Sequence, residues 1–188
     1  SILHWRQDRS LSGNNIMFMG IWYEIIMRWL GPATSVQAVG QIVVKHRRDA
    51  KGRRRAMTIP DHIDVIGEMA QGGQMRLSVS TVTGHLPTVN VHICGTKGTI
   101  RLSEANGEII LETGAVNARR LKTVRIPKNK QGSWRVEEEF INAIRGIEIV
   151  THTDLETGVQ YMEWTDAVST ALRTGRTVYL PLEAVVQS

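Results

Sequence analysis

Cysteine is almost missing from this sequence of 188 residues. Cys94 stands alone, so no internal disulfide can form and no cysteine pair is available to a structural zinc. A single thiol suits a reducing compartment, and we expect the cytoplasm. Long apolar runs are also missing. The longest, around Ile16 to Leu30, is broken by Glu24 and Arg28, too short and too charged to cross a bilayer. No signal peptide is visible. No Gly-x-Gly-x-x-Gly follows a strand pattern, so the chain carries no dinucleotide fingerprint. No serine occupies a nucleophile elbow, and the scattered histidines have no metal-ligand spacing. We therefore expect neither a cofactor nor a metal to be held by this chain itself. There is no internal repeat and no low-complexity segment. The first residue is Ser1 rather than Met, from which we expect the natural N-terminus to lie further upstream.

What the sequence does contain is the making of a core. Hydrophobic residues are 41% of the chain, enough to fold without staples. The length fits a single domain over 1–188. The formal charge is +5, much of it between Lys45 and Arg55. No aromatic residue interleaves that run and no DNA-binding motif flanks it. It reads as a mobile, solvated loop between two strands, and we expect no nucleic-acid partner.

Periodicity divides the chain into a helix, a strand-rich middle and two closing helices. Ile16, Met19, Tyr23, Ile26 and Leu30 recur at helical spacing over 14–30, ended by Gly31-Pro32. Val36, Ala38, Ile42 and Val44 are spaced as in a half-buried strand, and Ile63, Val65 and Met69 repeat the pattern. Gln71-Gly72-Gly73-Gln74 predicts a tight turn into Met75, Leu77 and Val79. Further strands are expected through Val89 to Ile93, Thr99 to Leu102, Glu108 to Leu111 and 121–126. Gly95-Thr96-Lys97-Gly98 and Asn106-Gly107 are turns between them. Strands joined by short turns must pair antiparallel. Helices follow over 134–145 and, from a Thr153-Asp154 cap, over 154–173, with Gly175 as a stop. The predicted class is α+β: an open, largely antiparallel sheet with helices on one face.

Several local patterns, in this order, resemble one family. Trp5-Arg6, then Ser12-Gly13-Asn14 opening a helix that contains Gly20, then Trp29-Leu30-Gly31, is similar to the start of the catalytic helix in the Gfo/Idh/MocA oxidoreductases, the glucose–fructose oxidoreductase and inositol dehydrogenase relatives. His92 through Ile100 resembles their Gly-Thr-x-Gly strand turn. Glu138-Glu139-Phe140 through Gly146, Ala167-Val168-Ser169 and Thr174 through Val178 resemble their closing helices and tail. The likeness covers nearly the whole chain.

The resemblance implies a two-domain NAD(P)-dependent enzyme acting on a sugar or polyol. An N-terminal Rossmann domain would bind NAD or NADP and supply a catalytic lysine. This chain would be the C-terminal half, starting after that domain's own first strand. Its open sheet face would form a homodimer or tetramer. The pattern also departs from the family. Anchored on Gly20, the usual Asp, His and second Asp positions are Phe18, Trp22 and Ile25, and the usual glycine triplet is Ser12-Gly13-Asn14. Phe and Trp exchange no protons near neutral pH. That departure favours an alternative: a non-catalytic regulatory or binding protein on the same fold, as the galactose-pathway repressor of this superfamily illustrates.

Glu24 is the candidate catalytic residue, as a substitute acid–base or an acceptor for sugar hydroxyls. Its other reading is an ion pair with Arg28 one turn on. Trp5, Arg6, Asn14, Trp22, Tyr23 and His85 are the candidates for substrate binding. Arg6 suits a carboxylate or phosphate, with a domain-interface ion pair as its other reading. Asn14 and Asn15 read first as helix caps, Tyr23 as core, His85 as a loop residue, and His62 and His92 as structural.

Overall fold

The computed structural model describes residues 2–85, 89–105, 107–151 and 154–182. Asn106 and Thr153, expected in a turn and a cap, lie outside the described residues. Helix α1 (Arg9–Ser12) and helix α2 (Met19–Leu30) come first. Strands β1 (Ala33–Gln41), β2 (His46–Arg48), β3 (Arg54–Ala56), β4 (His62–Met69) and β5 (Gln74–Ser80) follow. Then come β6 (Asn90–Gly95), β7 (Gly98–Ala105), β8 (Glu108–Ala115) and β9 (Lys122–Thr123). Helices α3 (Val136–Ile144) and α4 (Leu155–Thr174) and the short β10 (Val178–Tyr179) close the chain. The class is α+β, and the named strands all pair antiparallel. The strands divide between two four-stranded sheets and one hairpin. The chain forms two compact units, one up to Val82 and again from Val150, the other Thr83–Ile149.

The first unit holds the sheet β10-β1-β4-β5. The two-residue period puts Val36, Ile63, Val65, Met69 and Met75 on its buried side. They pack with Met19, Tyr23 and Met27 of α2 and with Trp164 and Val168 of α4. Burial of each such side chain stabilises by about 1.5–3 kcal/mol. β1 and β4 approach so closely that a Cβ on Gly67 would lie 2.7 Å from the Ser35 carbonyl oxygen. The ring of Trp164 is fully buried and stacks on Tyr23, centroids 4.2 Å apart and planes 4° from parallel. The Tyr23 hydroxyl accepts the Ala33 amide proton at 2.8 Å, tying the first half of α2 to the start of β1. Burial pushes the Tyr23 hydroxyl pKa up.

The basic stretch is an ordered hairpin rather than a mobile loop. β2 pairs with β3 in the register Arg47↔Arg55 and Arg48↔Arg54. Asp49 closes its turn, accepting the Lys51 and Arg53 amide protons at 2.9 Å each and the Arg53 Nε proton at 3.0 Å. Like charges are held close here because a single carboxylate satisfies three donors. Arg47 points inward and lies 3.9 Å from the buried carboxylate of Asp61. Asp61 also accepts the amide protons of Val43 and Val44 at 2.7 and 2.9 Å. Burial alone would raise the Asp61 pKa. The two amides and Arg47 outweigh it and hold the carboxyl below its ordinary value.

The second unit holds the sheet β6-β7-β8-β9. Its register places Val91, Ile93, Ile100, Leu102, Ile109 and Leu111 on one face. The other face carries His92, Cys94, Thr99, Arg101 and Glu112, with Arg101 paired to Glu112 across the strands. Gly95-Thr96-Lys97-Gly98 is the expected hairpin turn. Among the described residues every buried apolar side chain belongs to the first unit. On the apolar face of the second sheet, Ile100 and Ile109 are 42% and 56% exposed.

Candidate functional site

The segment ahead of α2 and the outer side of α2 carry the candidate residues Trp5, Arg6 and Trp22. His4 caps a 3₁₀ turn over Trp5–Gln7: its Nδ1 accepts the Arg6 amide proton at 3.3 Å, and its own amide donates to Gln7 Oε1 at 3.1 Å. This places Trp5 and Arg6 rigidly beside the start of α2. A second 3₁₀ turn, Ile16–Phe18, follows, and α2 was expected to begin at residue 14 but begins only at Met19. The cause is local. Met17 and Phe18 both have left-handed backbones, φ 48° and 60°. Neither is a glycine, so the pair costs on the order of 1–3 kcal/mol per residue. Ile16 and Met17, buried in the core, hold the strained turn in place.

That turn aims the Phe18 ring at Arg6. The guanidinium carbon of Arg6 lies 3.7 Å from the Phe18 ring centroid and 4.0 Å from that of Trp5. Sequence reasoning singled out Arg6 and Trp5, and noted Phe18 only as the family's Asp position, missing its contact with Arg6. The signal was absent because a left-handed pair without Gly or Asn leaves no mark in the sequence.

Asn15 rather than Asn14 does the capping: its Oδ1 accepts the Gly20 amide proton at 3.0 Å. Asn14 donates to Asp166 Oδ1 at 2.9 Å and accepts from the Ser169 hydroxyl at 3.1 Å, pinning the loop to α4. α2 crosses α4 at Gly20, where a Cβ would meet Tyr161, Thr165 and Asn15 atoms at 3.1–3.2 Å.

Met19, Gly20, Tyr23 and Met27 make the buried side of α2, and Tyr23 accordingly belongs to the core. The opposite side carries Phe18, Ile21, Trp22 and Trp29, between 36% and 49% exposed. The side where the resembled family places acid–base groups is therefore aromatic and open here. Glu24 stands about 200° around the helix from Trp22. Its carboxylate receives Arg28 Nη2 at 2.6 Å and Nε at 3.2 Å. His85, an exposed residue with φ 62°, belongs to the second unit.

Among the described residues the starts of the longer helices do not fit the pyrophosphate of a nicotinamide dinucleotide. A pyrophosphate is held on a free helix N-terminus behind a glycine turn. Here the Gly20 amide at the start of α2 is taken by Asn15. The first turn of α3 carries Glu137, Glu138 and Glu139. α4 starts at Asp154, which accepts the Thr157 amide proton at 2.6 Å, and carries Glu156 in its first turn. In the first unit, a cavity of about 260 Å³ between Tyr23, Ala33, Gln160, Glu163 and Pro181 has no basic side chain in its lining. Among the described residues no cluster of His, Cys, Asp and Glu is arranged to hold a metal ion. No described helix is long and apolar enough to cross a membrane.

A profile of the GFO/IDH/MocA C-terminal domain matches residues 2–101, and the chain belongs to that family. No curated protein matches it by sequence. A levoglucosan dehydrogenase solved with NADH and levoglucosan superposes with TM-score 0.80 at 18% identity, over 97% of this chain and 54% of that one. An NAD-binding oxidoreductase from Klebsiella pneumoniae gives 0.76 at 16% identity, over 96% and 54%. A super-repressor mutant of Gal80p from Saccharomyces cerevisiae gives 0.64 at 14%, over 87% and 49%. The chain thus spans about half the length of these relatives.

Proposed function

We propose that this chain is the substrate-side and oligomerisation half of an NAD(P)-dependent oxidoreductase that acts on a hydroxyl of a sugar or polyol in the cytoplasm. A nucleotide-binding half completes it, and the bound nicotinamide there supplies or accepts the hydride. The observation that carries this reading is the likeness, over 97% of the chain, to a dehydrogenase solved with NADH and a sugar. The open side of α2 suits the role: Phe18 and Trp22 offer ring faces to the apolar C–H face of a sugar ring. Glu24, the one acidic residue of α2, stands about 200° around the helix from Trp22 and is assigned to substrate hydroxyls away from the aromatic side, oriented by Arg28. In the two-domain protein, Glu24→Gln is expected to lower kcat/KM for the sugar roughly tenfold. Unchanged turnover and unchanged KM would leave only the ion pair. The replacement of proton-exchanging side chains by Phe18 and Trp22 favours a second reading, a sugar-responsive binding protein without turnover. Sugar binding with no sugar-dependent change in nicotinamide absorbance would select it.

The apolar face of the second sheet is assigned to a second copy of the chain. Six aliphatic side chains line it and none is buried, so pairing across a two-fold axis removes a continuous apolar strip of that unit from water. Sedimentation at about tens of micromolar is expected to give a dimer or tetramer. A clean monomer, unaffected by Ile100→Lys, contradicts the assignment.

A further inference from the structure

The guanidinium of Arg6 is built in and left without an anion. Trp5 and Phe18 cover it from 4.0 and 3.7 Å. Among the described residues no carboxylate lies within ion-pair distance of it and no acceptor takes its side-chain N–H groups. Asp61, on the wall of the same small crevice as Arg6, is committed to Val43, Val44 and Arg47.

Rings stacked on a guanidinium leave its donors pointing outward in one plane. That plane fits the two oxygens of a carboxylate or phosphate. The rings also strip water from the faces of the cation, which strengthens what it binds at its edge. The arrangement is held by a left-handed turn at Met17 and Phe18 that an incidental surface contact does not require. It is open to solvent, with Trp5 50% and Phe18 36% exposed.

We propose that Arg6 receives an oxyanion of the substrate, so that the substrate is a sugar acid or a sugar phosphate rather than a neutral sugar. The proposal rests on the substrate-side reading of this chain, which it deepens by naming the charge of the ligand. A neutral sugar has no group that needs an unpaired guanidinium, whereas the fork of Arg6 fixes an acidic sugar by one end. The rest of the ring then lies toward Phe18 and Trp22.

The test titrates the 188-residue chain with D-glucuronate, D-glucose 6-phosphate and D-glucose, following the Trp5 indole N–H resonance. At least one of the two anions is expected to bind no less than about tenfold more tightly than glucose, and the stronger of the two identifies the oxyanion. Arg6→Gln is expected to weaken that anion roughly 10- to 100-fold and leave glucose unchanged. Arg6→Lys, which keeps the charge without the fork, is expected to recover only part of the affinity. A merely structural Arg6 would lower the melting temperature of both variants without altering the preference for anions. The proposal is overturned if neither anion outcompetes glucose, or if both variants bind the anions as the parent does. No cofactor takes part in this titration, so a failure of the oxidoreductase reading and a failure of the anion site give different results.

Discussion

Trp164→Ala is expected to remove about 3–5 kcal/mol of stability, the cost of deleting a large buried aromatic that its surroundings cannot replace. The residue is fully buried at the centre of the first unit, stacked on Tyr23 and packed in the cluster with Val36, Ile63 and Val65. Its loss opens a cavity and also frees Tyr23, whose hydroxyl receives the Ala33 amide proton. For a chain of this size the expected fall in melting temperature is roughly 6–20 °C. Trp164→Phe separates the contributions. The indole N–H of Trp164 has no hydrogen-bond partner among the described residues. Phenylalanine therefore loses volume but no hydrogen bond, and is expected to cost less than half as much. Tyr23→Phe keeps the ring and leaves the Ala33 amide unpaired, for about 1–2 kcal/mol. Urea unfolding followed by circular dichroism measures all three. A loss below about 1 kcal/mol for Trp164→Ala would contradict the placement of the core.

The antiparallel ladder was legible because its turns are. Gln71 to Gln74 and Thr96-Lys97 mark the β4–β5 and β6–β7 hairpins, and period-two apolar residues mark the strands. Helix ends were legible where capping chemistry is explicit. Asp154 caps α4 as expected, and Gly175, with φ 66°, ends it. Long-range geometry was not legible. Asn14 finds Asp166 and Ser169 across 152 and 155 residues of chain, and no local pattern announces that. The hairpin in the basic stretch was missed because its strands are only three residues long and polar, and its stability comes from Asp49 and from Arg47 reaching Asp61. The expected strand over 121–126 shrinks to Lys122–Thr123, which pairs with Thr113 and Glu112 of β8.

The site was half legible. Trp5, Arg6 and Trp22 emerged from their place beside and on the first helix, and the structure sets them around its open side. The sequence marked Phe18 only as the family's Asp position; its contact with Arg6 became visible through its left-handed backbone. Residues that act through strain leave no compositional trace, which is why structure adds most at such positions.

The central claim is that this chain needs a nucleotide-binding half to handle a nicotinamide cofactor. Among the described residues the starts of its longer helices are capped by Asn15 and Asp154 or lined by Glu137 to Glu139. The most direct measurement is a fluorescence titration of NADH and NADPH against the 188-residue chain alone and against the same chain joined to a nucleotide-binding half. The account predicts no saturable binding by the chain alone and micromolar affinity, about −8 kcal/mol, once the halves are joined. Micromolar binding of either nucleotide by the isolated chain would contradict it.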